Sequence, residues 1–82
     1  MDESFVPNLL RNELENREER LSKVTEEISR MRDKIANVHA FGSFSDVYWL
    51  SKEMEVYEKA RRELRGEVSA LRQAIARLER SE

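Results

Sequence analysis

The sequence contains no cysteine, a single proline and only two glycines among its 82 residues. Without cysteine the protein has no disulfide bonds, no thiolate metal sites and no cysteine nucleophile. No stretch of the sequence is apolar for long enough to span a membrane, and the N-terminus has no basic segment followed by an apolar one. We therefore expect a protein without membrane contact, in a cytoplasmic or nuclear setting, with the cytoplasm as the default.

Neither sign of charge dominates, since 15 Lys and Arg residues are balanced by 17 Asp and Glu residues, for a net charge of −2. The two signs are interspersed, whereas binding to nucleic acid or to an acidic membrane surface requires a stripe of one sign. The local basic cluster of Arg61, Arg62 and Arg65 is surrounded by glutamates. We interpret it as a solvated ion-pair face, with a phosphate contact as the alternative.

Residue patterns that carry catalysis are also missing. The sequence has no glycine-rich phosphate loop, no histidine pair and no Ser/His/Asp arrangement. Its one histidine, His39, lacks a second ligand or a nucleophile beside it, and is better placed to cap a helix C-terminus. We predict a protein that is not an enzyme, with no catalytic residues, no cofactor, no metal and no small-molecule substrate.

Charged and hydrophobic residues each make up 39% of the chain, a composition typical of long helices and coiled coils. Aliphatic residues recur at alternating steps of three and four in both halves, which is the heptad pattern of a coiled coil. The first half places Leu10, Leu14, Arg17, Leu21, Val24, Ile28, Met31, Ile35 and Val38 in one register. The second half places Val47, Leu50, Met54, Tyr57, Arg61, Leu64, Val68, Leu71, Ile75 and Leu78 in one register.

The two halves match each other best when the chain folds back on itself. With Val38 opposite Val47, every layer counted outward sets an a position against a d position, and each of the two arginines within this seam faces a valine. We predict an all-α fold, a helical hairpin that is an intramolecular antiparallel coiled coil. Its helices cover about residues 5–39 and 46–81, joined by a turn at about 40–45. Because the second half carries no helix stop signal, the chain could continue past Glu82 as the N-terminal part of a longer protein.

Charges beside the seam favour the same arrangement. In this register Lys34 neighbours Glu53 and Arg20 neighbours Glu67, both attractive contacts. Glu18 neighbours Arg65 in another attractive contact, while Arg11 near Arg72 is the one repulsion. Parallel dimers would set glutamates against glutamates instead. The charges therefore select the antiparallel orientation more than they stabilise it.

Apolar residues also lie outside the seam, which a lone two-helix hairpin leaves uncovered. Trp49, Val56 and Ala60 follow one flank of the second helix, and alanines widen its far end. We predict a protein-interaction or oligomerisation module, part of a larger assembly, whose partner is a protein and most simply a second copy. Such a homodimer would be a four-helix bundle. The alternative is a small chaperone or adaptor that covers a partner's amphipathic helix with the same flank.

Aromatic residues concentrate at the turn. Phe41, Phe44, Tyr48 and Trp49 all lie within the segment NVHAFGSFSDVYW. They either fold over the last layer of the seam as a plug or form an exposed patch that docks a partner. The candidate partner-binding residues are therefore these four aromatics together with Val56 and Ala60.

Overall fold

Two long helices make up the fold. The computed structural model describes residues 5–42 and 44–81, and for residues 39–41 it describes the backbone alone. Helix α1 spans Phe5–Phe41 and helix α2 spans Phe44–Arg80. They pack side by side into a rod of 61 × 15 × 14 Å. The all-α helical hairpin expected from the heptad pattern is confirmed.

The turn between the helices is shorter than the sequence predicts. Helix α1 continues to Phe41 and α2 already begins at Phe44, so that Ser45 and Asp46 lie within its first turn. The backbone N–H of Gly42 donates to the carbonyl of Val38 at 2.5 Å. A Cβ at Gly42 would lie only 2.6 Å from Val38 Cγ1. Glycine therefore permits the tight end of α1, and Asp46 is favourably placed near the positive end of α2.

The seam residues predicted from the heptads form the interface between the helices. All of them are buried or half-buried. The four most enclosed hydrophobic side chains are Ile28, Met31, Val68 and Ile75, of which Ile28 is 1% exposed. Pro7 is buried as well, one step of three before Leu10, and so extends the seam by one layer. The core is therefore a single narrow stripe along the length of the rod.

Within the part of the chain that the structure describes, four ion pairs cross between the helices, and in each pair the partners lie at similar distances from the turn. Arg17 Nε lies 3.2 Å from Glu67 Oε2. The other pairs are Arg11–Glu79, Glu18–Arg72 at 3.4 Å and Arg32–Glu58 at 4.0 Å. These partners are the ones that the antiparallel arrangement brings together.

Two of the four predicted flanking contacts are replaced by contacts with another neighbour. Glu18 pairs with Arg72 rather than with Arg65, and Arg11 pairs with Glu79 instead of lying against Arg72. A flanking residue sits between two residues of the facing helix, and a long side chain can reach either of them. Arg11 has turned to the neighbour of opposite sign, which removes the predicted repulsion, whereas Glu18 contacts the other of two neighbouring arginines.

Arg17 shows how a cation fits within the seam. Its side chain is 28% exposed and its guanidinium contacts both Glu13 of α1 and Glu67 of α2. The methylenes can thus cover the core while the charged end reaches the edge of the interface. This geometry fits the expectation that an arginine opposite a valine lies with its methylenes along the core and extends its guanidinium to the edge of the interface.

Candidate interaction surface

The hairpin has two broad sides that differ in chemistry. In an antiparallel pair, heptad positions e and b of both helices lie on one side of the seam, and positions g and c lie on the other. With Leu14 and Val47 at position a, we call these sides the e face and the g face. The comparison of the two faces decides which surface is available to a partner.

The e face is closed by charge pairs. Three of the four interhelix ion pairs lie there, Arg11–Glu79, Glu18–Arg72 and Arg32–Glu58. An open groove runs beside them, with Leu21 and Val68 at its floor and Ser22, Thr25 and Gln73 among its walls. Apart from this floor and the exposed Phe44 and Tyr48 near the turn, the e face is lined mostly by polar residues, and it already satisfies several of its charges within the hairpin.

The g face carries exposed apolar side chains at both ends. Trp49 and Val56, one heptad apart on α2, are each 68% exposed. Ala60 follows them and is half-buried. At the opposite end of the rod Val6 and Leu9 of α1 are about half exposed, at 52% and 50%. The g face thus keeps exposed apolar side chains at both of its ends.

The three turn aromatics whose side chains the structure describes, Phe44, Tyr48 and Trp49, do not fold over the end of the seam. Phe44 is 85% exposed. The rings of Tyr48 and Trp49 contact each other edge to face, with centroids 5.4 Å apart and planes at 80°. Lys52 Nζ lies 5.7 Å from the centre of the Tyr48 ring. The side chain of Phe41, also predicted as a site residue, lies outside the described part of the structure. The described aromatics project into solvent.

The fold divides the predicted site residues between the two faces. Trp49, Val56 and Ala60 lie together on the g face, whereas Phe44 and Tyr48 occupy e and b positions and belong to the e face. Their nearness in sequence therefore does not make one surface. The heptad positions of these residues already assign them to two different faces. They also place Val6 on the g face, although Val6 was not predicted as a site residue.

The g face also carries a row of alternating charges on α1. Its successive g positions are Glu13, Arg20, Glu27 and Lys34. Glu13 pairs with Arg17 and Glu27 pairs with Arg30 at 2.5 Å, both within α1. Among the described residues Arg20 and Lys34 have no ion-pair partner. The contacts predicted for them, Arg20 with Glu67 and Lys34 with Glu53, are not formed. Glu67 instead pairs with Arg17.

Other kinds of site find no support in the described residues. Within residues 5–42 and 44–81 no group of three or more His, Asp or Glu side chains could hold a metal ion. Over the same residues neither helix has a segment that is both long and apolar enough to cross a bilayer. The exposed apolar residues and the alternating charges of the g face are what remains to be explained.

The sequence matches no protein-family model, and neither the curated proteins nor the solved structures include a match. A helical hairpin by itself indicates no function, because unrelated proteins use the same shape for different purposes. The function must therefore be argued from the surface of this hairpin.

Proposed function

We propose that this hairpin is a non-enzymatic, cytoplasmic protein-interaction module that self-associates through its g face as a component of a larger assembly. The observation that carries the proposal is the strip formed by Trp49 and Val56. Tryptophan contributes more to protein interfaces than almost any other residue because it buries a large area with little loss of conformational freedom. The exposed tryptophan and the valine one heptad later form an apolar strip of the size that a partner helix can cover.

The exposed area of the whole chain supports the same proposal. The hairpin exposes 6531 Å², whereas a compact monomer of its mass, 9.7 kDa, would expose about 5,100 Å². Two-helix units of this size rarely gain more than about 3–5 kcal/mol from their own core. A partner on the g face would cover part of the excess area and add to that stability.

A helix-binding chaperone or adaptor is the second candidate. The spacing of Trp49 and Val56, with the small half-buried Ala60 beside them, also suits an amphipathic helix laid along α2. Such a protein would leave the g face open until its client arrives. The two candidates differ in whether the free chain is a dimer or a monomer.

Sedimentation equilibrium of the unaltered chain over a wide concentration range tests the proposal, and we expect a monomer–dimer equilibrium. Trp49→Ala should weaken the dimer at least about tenfold in Kd, because a buried interface tryptophan is worth about 2 kcal/mol or more. The matched control is Phe44→Ala, which removes an aromatic of still greater exposure from the e face. Circular dichroism should show unchanged helicity for both variants.

The outcome assigns the function to one of three cases. A dimer weakened by Trp49→Ala but not by Phe44→Ala supports self-association through the g face. A chain that stays monomeric, and whose melting temperature rises when an amphipathic helical peptide is added, would replace the proposal with the chaperone. Equal losses in the two variants would place the interface elsewhere than on the g face.

A further inference from the structure

We propose that the partner on the g face is a second copy of this chain whose long axis is reversed, so that the turn of each copy lies over the open end of the other. This inference rests on the proposed self-association and adds its geometry. The dimer has a two-fold axis perpendicular to the rod. The axis crosses α1 near Lys23 and α2 near Arg61 and Arg62, which are the middles of the two helices.

The alternating charges of α1 are complementary to themselves in the reversed orientation. From the open end towards the turn, the row Glu13, Arg20, Glu27, Lys34 runs negative, positive, negative, positive. In the opposite direction it runs positive, negative, positive, negative, so the row is complementary to its own reverse. When two α1 helices face each other antiparallel about the stated axis, Glu13 of each copy lies opposite Lys34 of the other, and Arg20 lies opposite Glu27. Arg20 and Lys34, the two cations of α1 without an ion-pair partner among the described residues, thereby each face a glutamate, at four places in the dimer.

The same axis matches the apolar residues of α2. Because the ion pairs hold α1 and α2 in one register, an axis chosen for α1 leaves no freedom in α2. It sets Trp49 of one copy opposite Ala74 of the other, so that a large exposed side chain meets a small one, which lets two helices approach closely. Val56 lies opposite Glu67, with Ala70 one turn away. Charge matching in α1 and the match of Trp49 with Ala74 in α2 agree on a single axis.

The alternative dimer, with both turns at the same end, accounts for less. There α1 would face α2 of the other copy, and the two α1 cations would again meet glutamates. Trp49, however, would lie opposite Asn37, and Val56 would lie opposite Arg30, so that the exposed apolar residues would be set against polar ones. Charges alone permit either orientation, and Trp49, which meets an alanine in the reversed dimer and an asparagine in the alternative, decides for the reversed one.

The size of the face is sufficient for a stable dimer. A face of 61 × 15 Å corresponds to about 900 Å² from each copy, close to that of standard protein interfaces. The axis brings the two Lys23 side chains towards each other. Each of them already pairs with Glu19 of its own chain at 3.3 Å and is 73% exposed, so that their repulsion is screened.

Charge reversal on α1 tests the contacts. An acidic chain carries Arg20→Glu and Lys34→Glu, and a basic chain carries Glu13→Lys and Glu27→Lys. In the reversed dimer each variant alone repels its own copy, and we expect the Kd of each to rise at least about tenfold. An equimolar mixture should form a heterodimer at about the strength of the unaltered chain. Circular dichroism of each variant controls for loss of helix.

The basic chain separates the two orientations. With both turns at one end, its new lysines would face alanines of α2 while Arg20 and Lys34 kept their glutamates, so that it would self-associate as well as the unaltered chain. That result would overturn the reversed orientation and leave the proposed function intact. An unaltered chain that is monomeric at all concentrations would overturn the proposed function itself.

Distances between labels give an independent readout, since the absence of cysteine allows a single label site in each chain. Spin labels at Asn37→Cys should be about 40 Å apart in the reversed dimer, because residue 37 of one copy lies opposite residue 10 of the other. Labels at Lys23→Cys, beside the axis, should be less than about 20 Å apart. Short distances at both sites would contradict the reversed orientation.

Discussion

Single residues act in this protein according to the space around them, and its two glycines are the clearest case. A Cβ at Gly42 would meet the side chain and the carbonyl oxygen of Val38 at 2.6 and 2.9 Å, whereas a Cβ at Gly66 would meet nothing within 4 Å. Both residues look alike in sequence. Gly42 is required where α1 ends, while Gly66 only lowers the helix propensity of α2.

The same substitution at the two glycines should therefore have opposite effects. We expect Gly66→Ala to raise the free energy of unfolding by up to about 1 kcal/mol, since alanine favours the helix by that amount. Gly42→Ala should lower it, because the backbone carbonyl of Val38 cannot move away without disturbing the end of α1. Urea unfolding at one protein concentration measures both changes. Changes of the same sign would show that the turn tolerates a side chain.

Partner choice among the charged residues is a residue-scale property that sequence reasoning predicted only in part. The antiparallel register brings Arg11 and Glu18 to the facing helix, where they pair with Glu79 and Arg72 rather than with the predicted neighbours. Which of two neighbours each side chain contacts depends on rotamers that differ by little free energy at an exposed site. The heptad pattern constrains the backbone and leaves this choice open.

Each helix is amphipathic along one narrow stripe, and neither can bury that stripe alone. Helices of 37 residues that are rich in charge obtain most of their stability from packing rather than from intrinsic propensity. Enclosure is uneven along the seam, since many of its residues are only half-buried. The few fully enclosed side chains should therefore dominate the stability of the pair.

Ile28→Ala tests this dependence. Its side chain is 1% exposed, and removing a buried isoleucine costs about 2–5 kcal/mol, comparable with the whole stability expected of a small helical pair. We expect the variant to be largely unfolded at 25 °C by circular dichroism. The control is Phe5→Ala, which deletes a larger side chain that is 62% exposed and should change stability by less than about 0.5 kcal/mol. A folded Ile28→Ala variant would mean that the seam contributes less than its burial implies.

The molecule as a whole is long for its number of residues. Its radius of gyration is 18.4 Å, against about 12 Å for a compact domain of 82 residues. In such an extended shape, the exposed surface area is large relative to the number of residues in the core. A second copy can cover one face without shortening either helix or rearranging the seam. Folding and association can therefore proceed together.

Stability should consequently depend on protein concentration. If the folded hairpin is completed by a second copy, mass action raises the melting temperature as the concentration increases. We expect a clear rise in Tm when the chain is concentrated a hundredfold, and a much smaller rise for Trp49→Ala. Circular dichroism in cells of different path length measures both. A Tm independent of concentration would indicate a hairpin that is stable on its own.

The heptads were enough to predict the helices, their antiparallel pairing and the residues of the seam, because burial of an apolar stripe leaves few alternatives for a short chain of this pattern. The folded structure was needed to show that Trp49, Val56 and Phe44 stay exposed once the two helices are packed. It was also needed to show that Arg20 and Lys34 find no charge partner among the described residues. Such properties depend on where side chains point around a packed pair of helices and on which neighbours they reach. A one-dimensional pattern indicates the contacts inside the seam, whereas the surface is defined only once both helices are in place.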